Sequence, residues 1–96
     1  MVDVAADNTL TRTFEIKNQY GIHARPAALF VKTAARFDVD VTVEKDGNEV
    51  SGKSIMGLMT LEASRGSMLK VSVRGLEAQA LLDELQILFD SGFDEE

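Results

Sequence analysis

The chain has 96 residues, a hydrophobic fraction of 45%, no cysteine and a formal net charge of -6. This length fits one small domain, and the acidic balance argues against a nucleic-acid-binding protein, which needs lysine and arginine to neutralise phosphates. The lack of cysteine excludes disulfides and thiolate metal sites, and the single histidine, His23, makes a histidine-cluster metal site implausible.

The chain shows no signal peptide and no apolar run long enough to span a bilayer. We therefore expect a cytoplasmic protein without membrane insertion.

The first predicted elements are a strand and a helix. Apolar and polar residues alternate over 10–17, as in a half-buried strand, with Arg12 as the one charged residue on the inward side. The period then changes to helical spacing from about Ala24 to Phe37. Pro26 falls in the first turn of this predicted helix, where its missing N–H group is harmless.

The middle of the chain predicts a hairpin followed by a short helix. Valines alternate with polar residues over 39–44, and Asp46-Gly47 is a strong turn signal that leads into a third strand at 48–53. From Ser54 to about Ala63 the sequence is apolar nearly all round, which predicts a short helix.

The last predicted elements are a strand at 69–74 and the clearest helix at 76–90. The order β-α-β-β-α-β-α indicates an α+β fold with a mostly antiparallel sheet and helices on one face. We expect a single domain over 1–96, with a flexible N-terminal extension at 1–9 and a flexible acidic tail at 92–96.

The stretch GNEVSGKS, residues 47–54, fits the phosphate-binding pattern of nucleotide hydrolases letter for letter. Such a loop joins a buried strand directly to a long helix, and its backbone N–H groups surround a phosphate. Here Gly47 belongs to the predicted hairpin, and 48–52 must run back as a strand. Asp90, the candidate for a magnesium carboxylate, lies on a helical stripe. We therefore expect no nucleotide loop, and an ATP-binding titration would test this.

His23 lies where the first predicted helix begins. The first N–H groups of a helix lack intrahelical acceptors, and the helix dipole adds partial positive charge. An anion attached to His23 would be held by these groups and by the guanidinium of Arg25 two residues later. The imidazole is also nucleophilic near neutral pH. On these residues alone, a surface histidine that closes a helix is the commoner situation, so both interpretations stay open.

Two motifs carry a family resemblance that extends from about Thr11 to Phe89. They are Gly21-Ile22-His23-Ala24-Arg25-Pro26-Ala27 and Gly52-Lys53-Ser54-Ile55-Met56-Gly57-Leu58-Met59. With this spacing and element order, the sequence resembles the histidine-containing phosphocarrier (HPr) family of the bacterial phosphoenolpyruvate-dependent phosphotransferase system. The resemblance implies an open-faced β-sandwich, with a four-stranded antiparallel sheet covered on one face by three helices.

The resemblance also implies a function. Enzyme I, charged by phosphoenolpyruvate, would phosphorylate His23 at Nδ1, with Arg25 helping to position the group, and an enzyme IIA domain would receive it. Such a carrier is a substrate of other catalysts rather than a stand-alone enzyme. We expect it to be a monomer without a built-in cofactor or metal.

Ser54 matches the serine that a dedicated HPr kinase/phosphorylase modifies in many members of the family. The resemblance therefore implies regulation at Ser54, and the simpler interpretation is a hydroxyl that only caps the short helix. Apolar residues of this helix that cannot all be buried would form a partner-docking patch beside His23. The predicted docking residues are Lys53, Ile55, Met56, Leu58 and Met59.

The chain mixes features of two branches of the family. Its ending, residues 88–96, resembles the nitrogen-related branch, which usually lacks the Gly-Lys-Ser-Ile-Met-Gly pattern seen here. This leaves open whether the protein serves sugar uptake or a regulatory relay that ends on a IIA protein, and we favour the second. The alternative function is a purely regulatory HPr-like protein that acts through phosphorylated Ser54 on a transcriptional or metabolic partner. Relatives of that type lack the active histidine, so His23 argues against it.

Overall fold

The computed structural model describes residues 9–95. The elements, in chain order, are β1 (Thr9–Glu15), α1 (Ala24–Ala34), β2 (Asp40–Lys45), β3 (Asn48–Ser51), α2 (Ile55–Thr60), β4 (Met68–Arg74) and α3 (Ala78–Asp90). This is the predicted order. Of the expected N-terminal extension, residues 1–8 lie outside the described residues, and Thr9 already belongs to β1.

The four strands form one antiparallel sheet in the order β1-β4-β2-β3. Val71 in the central strand β4 lies opposite Arg12 on β1 and Val43 on β2. The alternation of the sequence places the valines and leucines of β2 and β4 on the buried face, where they form one core with the apolar stripes of the helices. The opposite face is polar, as in the pair of hydroxyls of Thr11 and Ser72 at 3.1 Å. The predicted open-faced β-sandwich is thus confirmed.

The predicted helix boundaries are displaced by a few residues. The first helix ends at Ala34 rather than Phe37, because the N–H groups of Arg36 and Phe37 bond to the carbonyls three residues earlier. The last turn therefore tightens into 3-10 geometry, which is common at helix ends. The third helix begins at Ala78, two residues later than expected.

Arg12 is the one charged residue on the inward side of β1, and its contacts explain how the structure accommodates it. Its guanidinium reaches the edge of α3, where Nη1 donates to the carbonyl of Leu82 at 3.1 Å and Nη2 lies 3.3 Å from the carboxylate of Asp83. The aliphatic part of the side chain covers the core while its charged end stays near water. Arg12 is therefore a link between β1 and α3.

Four phenylalanines join the strand β1, two helices and the chain end. Phe14 stacks on Phe89 with ring centroids 4.5 Å apart, and Phe30 meets Phe89 edge-on at 6.2 Å. Phe93, in a short 3-10 turn at Gly92–Asp94, packs against Phe89 at 4.9 Å and is fully buried.

Residues 92–95, which the sequence predicts as a flexible tail, thus form a turn that packs on the core, while residue 96 lies outside the described residues. Phe93 has φ 58° and ψ 31°, a left-handed conformation that costs a bulky residue about 1–2 kcal/mol. Burial of a phenylalanine side chain contributes about 1.5–3 kcal/mol, which offsets that cost. We call residues Gly92–Glu95 the C-terminal turn.

The nucleotide-loop pattern has a structural explanation. Asp46 and Gly47, with φ 52° and 85°, form the tight turn between β2 and β3. The N–H group of Gly52 donates to the carbonyl of Val41 at 2.8 Å, so this backbone belongs to the sheet. A Cβ atom on Gly52 would overlap the side chain of Val41 and lie 3.1 Å from the ring of Phe30. This glycine permits close packing rather than an approach by phosphate.

None of the helices in residues 9–95 combines the length and apolar character needed to cross a bilayer.

Candidate functional site

His23 begins α1 as its N-cap residue. Its backbone is extended, with φ -89° and ψ -169°, and its carbonyl accepts the N–H of Ala27 at 3.0 Å. The imidazole does not cap its own helix, and the side chain is 42% exposed. The ring is therefore fixed at its base by the helix while it stays accessible to another molecule.

Two backbone donors remain unused beside His23. Within residues 9–95, the N–H groups of Ala24 and Arg25 have no acceptor, and Pro26 has no N–H group. These donors point out of the helix end, where the macrodipole favours negative charge. The side chain of Arg25 is 61% exposed and adds a permanent cation. These groups give the start of α1 a positive character that suits an anion on or near His23.

The loop before His23 is held by hydrogen bonds to Asn18 and to the segment after α2. The buried Ile22 donates its N–H to the carbonyl of Ala63 at 2.9 Å, which ties this loop to the segment after α2. The amide of Asn18 donates to the carbonyl of Gly21 at 2.8 Å. Asn18 is only 5% exposed, so its contacts form part of the interior. The histidine thus follows a loop that is hydrogen-bonded to the rest of the domain.

Glu95 is the main member of the site that the sequence did not predict. Its Oε2 lies 2.8 Å from Nε2 of His23 and 3.8 Å from Nη1 of Arg25, and its Oε1 accepts from the amide of Asn18 at 2.9 Å. The hydrogen bond from Asn18 is the largest cause that lowers the pKa of Glu95; desolvation opposes it, and the contacts with His23 and Arg25 lower the pKa further. Glu95 therefore meets His23 as a carboxylate.

Cations are concentrated around the site although the chain is acidic. An open groove of about 600 Å³ beside the histidine is lined by Lys17, Arg25 and Arg65, together with Asp90 and Glu95. Lys17 lies 3.1 Å from Asp90, and this hydrogen bond is the main reason that the pKa of Asp90 is lowered. The exposed cations at the rim can steer an acidic partner toward the ring.

Tyr20 gives the site an exposed aromatic edge. Its side chain is 74% exposed, and its ring meets the imidazole of His23 edge-on, with centroids 6.5 Å apart. The sequence showed no pattern that singled it out.

Ser54 begins α2 as the sequence predicts. Its backbone is extended, and its Oγ accepts the N–H of Gly57 at 2.9 Å, which is an N-cap. The six residues of α2 span about 9 Å, and the helix separates Ser54 from the hydrogen bond between Ala63 and Ile22. Ser54 and the segment that bonds to Ile22 therefore lie toward opposite ends of α2.

The predicted docking residues divide into two groups. Ile55, Met56 and Met59 are 39%, 76% and 39% exposed, and we call these three the apolar patch. Leu58 is only 1% exposed and belongs to the core, so its predicted role in docking is corrected: it is on the inner side of the helix. Lys53 is exposed, and its ammonium group donates to the carbonyl of Phe37 at 3.2 Å.

No group of three or more acidic or histidine side chains within residues 9–95 is arranged to hold a metal ion.

The fold and the site define a small open-faced β-sandwich that presents a histidine at the start of its first helix. The family described as "PTS HPr component phosphorylation site" matches residues 10–91. The chain is also 41% identical over 87 residues to phosphocarrier protein HPr of Treponema pallidum, which covers 91% of this chain and 99% of that protein. This chain therefore belongs to the HPr family of the phosphotransferase system, as its two motifs predict.

Two further relatives define the range of the family around this chain. The HPr-like protein Crh of Bacillus subtilis is 48% identical over 71 residues, or 74% of this chain and 84% of that protein. The crystal structure of HPr-C-His from Thermoanaerobacter tengcongensis superposes with a TM-score of 0.86 at 47% identity, covering 91% of this chain and 98% of that chain. Because both HPr and Crh are similar to this chain, family membership alone does not separate a carrier from an HPr-like relative.

Proposed function

We propose that this chain is a phosphocarrier in which His23 accepts a phosphoryl group from Enzyme I and passes it to an enzyme IIA protein. The observation that carries the proposal is the start of α1. There, the half-exposed imidazole of His23 lies beside the unused N–H groups of Ala24 and Arg25 and the guanidinium of Arg25. These groups can stabilise a phosphohistidine and still leave it open to the next protein.

The chemistry of acceptance follows from this arrangement. Nδ1 of the neutral imidazole forms a bond to phosphorus while the bond between phosphorus and the donor breaks, and that electron pair stays with the donor. The N–H groups at the helix end and the dipole of α1 stabilise the charge on the phosphoryl oxygens. The guanidinium of Arg25 adds donors in a fixed fork. Transfer to the IIA protein is the same exchange with His23 as the leaving group.

Intact-protein mass after incubation with Enzyme I and phosphoenolpyruvate tests the proposal. We expect one added phosphoryl group that is lost in acid, as a phosphohistidine should be. If nothing is added while HPr kinase and ATP label Ser54 in stoichiometric, acid-stable form, the chain belongs to the regulatory class instead.

Ser54 is the proposed site of regulation. A phosphate on its hydroxyl would add about -1.5 to -2 charges at the start of α2, beside the exposed apolar patch. The helix lies between this charge and the segment that contacts Ile22. The charge should therefore weaken the approach of an acidic partner surface, because it opposes the cations at the rim of the groove.

The substitution Ser54→Asp should slow charging by Enzyme I about threefold at low ionic strength, and the difference should shrink as salt screens the charge. The measurement is the initial rate of phosphoryl acceptance at several salt concentrations. Thr13→Asp is the matched control, since it adds the same charge at an exposed position on β1 opposite Lys70. Equal rates for both variants and the original chain at low salt would contradict the electrostatic explanation.

The second candidate function is that of a regulatory protein that acts only through Ser54. The similarity to the HPr-like protein Crh is the observation that favours it. That function does not use the anion-binding arrangement at His23, whereas the phosphocarrier depends on it. We also propose that the acceptor is a regulatory IIA protein of the nitrogen-related branch, because the chain ending resembles that branch. Competition between sugar-type and nitrogen-type IIA proteins for the charged chain would test this: faster transfer to the sugar type would contradict it.

A further inference from the structure

The C-terminal turn has a conformation that needs an explanation. Phe93 and Asp94 are both left-handed, with φ 58° and 57°, and follow Gly92 with φ 65°. Phe93 is fully buried against Phe89, so the strained backbone is held by the core. The residue that emerges from this turn is Glu95, whose side chain is only 17% exposed. The packing of Phe93 in the core thus places the carboxylate of Glu95 beside the ring of His23.

Asn18 fixes the orientation of that carboxylate. Both protons of its amide are used, one on the carbonyl of Gly21 at 2.8 Å and one on Oε1 of Glu95 at 2.9 Å. The reversed amide would place its oxygen against two acceptors, so only one orientation is compatible with these neighbours. Asn18 Oδ1 has no partner within residues 9–95. This buried amide therefore uses both of its N–H groups to hold Glu95 and the loop before His23.

We propose that Glu95, held by Asn18, is a positioning residue that makes Nδ1 the nucleophilic nitrogen of His23. This inference rests on the proposed role of His23 as the phosphoryl acceptor. A carboxylate has no proton to donate, so Nε2 must carry the proton in the 2.8 Å hydrogen bond with Glu95. A neutral imidazole has one N–H group, and its other nitrogen, Nδ1, then carries the free electron pair.

The same contact assists the transfer step. When Nδ1 bonds to phosphorus and the donor departs with its electron pair, the ring becomes a cation that retains the proton on Nε2. A carboxylate on the far side of the ring stabilises this charge, and the hydrogen bond becomes stronger as the charge develops. The carboxylate of Glu95 faces Nε2, so it does not occupy the nitrogen that receives the phosphoryl group.

The opposite role for Glu95 would be inhibition. Its Oε2 is 3.8 Å from Nη1 of Arg25, so it could compete with the phosphoryl group for that guanidinium. At this distance the pair makes no direct hydrogen bond, and the exposed guanidinium can turn toward a new anion. The hydrogen bond to His23 is much closer, which favours positioning over inhibition. An inhibitory role predicts that removal of Glu95 accelerates charging.

The test uses Glu95→Ala, with Asp94→Asn as the matched control. The control removes one negative charge from the same turn, and the side chain of Asp94 is exposed and makes no contact with His23. Because His23 is the only histidine, the ring nitrogens can be observed in the whole chain after labelling with ¹⁵N-histidine. Phosphoramidate serves as a small phosphoryl donor that does not need Enzyme I.

We expect the original chain and Asp94→Asn to show the Nε2–H tautomer and phosphorylation at Nδ1. In Glu95→Ala the Nδ1–H tautomer should appear beside the Nε2–H tautomer. Charging at Nδ1 should slow about tenfold, as for loss of a hydrogen bond to a charged group. The amount of product phosphorylated at Nε2 should increase. In Glu95→Gln the one side-chain oxygen should accept from Asn18, so that its NH2 group faces Nε2 and favours the Nδ1–H tautomer, and charging at Nδ1 should therefore also slow. An unchanged tautomer with an unchanged Nδ1 rate, or faster charging, would overturn the proposal.

The two proposals fail in different ways. If these effects appear with phosphoramidate but Enzyme I does not charge the original chain, the positioning role stands and the phosphocarrier function fails. If Enzyme I charges the original chain and Glu95→Ala equally well, with identical ring spectra, the phosphocarrier function stands and the positioning role is wrong.

Discussion

Replacement of His23 by alanine should abolish phosphoryl acceptance and leave the fold intact. The imidazole is the only histidine side chain available to form a phosphohistidine. It contributes little to the core, since it is 42% exposed and its hydrogen bond goes to Glu95. Its structural role at the start of α1 depends on the backbone carbonyl that accepts from Ala27, and alanine keeps this group.

The measurement is intact-protein mass after incubation with Enzyme I and phosphoenolpyruvate, beside a thermal melt of the same sample. Gln19→Ala is a local control, because it removes an exposed side chain from the loop that leads to His23. The control should gain one acid-labile phosphoryl group, and His23→Ala should gain none with a similar melting temperature. An acid-labile addition to His23→Ala would show that another residue is the acceptor.

The contrast between Ser54 and His23 explains how one small surface could serve two modifications. His23 offers free N–H groups and a forked cation, which suit a group that is transferred onward. The hydroxyl of Ser54 already caps the start of α2, whereas the segment that bonds to Ile22 follows the other end of this helix. The proposed phosphate on Ser54 would therefore add its charge at the start of α2 rather than at the start of α1. The substitutions Ser54→Asp and His23→Ala therefore test the proposed regulation and the proposed transfer separately.

Local patterns predicted most of the fold because they depend on nearby residues. Alternation along β4 and the Asp46-Gly47 turn are visible in a few residues, and the structure confirms both. The same patterns predicted where His23 would lie relative to its helix. Leu58 shows the limit of this approach, because a short helix with apolar residues nearly all round does not reveal which side faces the core.

The missing part of the site depends on contacts between distant residues. Glu95 meets His23 across 72 positions of sequence, and no periodic pattern relates the two. The contact also requires a left-handed Phe93, a conformation that sequence rules do not expect of a bulky residue. An acidic chain end normally indicates a loose tail. Here Phe93 reverses that expectation because it can fill the core beside Phe89.

The substitution Gly21→Ala should destabilise the protein by about 3 kcal/mol, since a left-handed conformation and a close contact add their costs. Gly21 has φ 66°, and a Cβ atom there would overlap the carbonyl oxygen of Ala63 and lie 2.8 Å from Cα of Ser64. Both obstacles are backbone atoms, so a side-chain rotation cannot relieve the contact. The loop must move away, which breaks the hydrogen bond between Ile22 and Ala63 and displaces His23.

Urea unfolding followed by circular dichroism measures this loss, with Gly66→Ala as the control. Gly66 also has a left-handed backbone, with φ 90°, but a Cβ atom there would meet no other atom within 4 Å. The control should therefore lose only the conformational part, about 1–2 kcal/mol. Equal losses in the two variants would mean that the contact with Ala63 and Ser64 relaxes at no cost. A larger loss of stability for Gly21→Ala, together with slower charging, would show that the close contact of Gly21 with Ala63 and Ser64 determines both the stability of the protein and the position of His23.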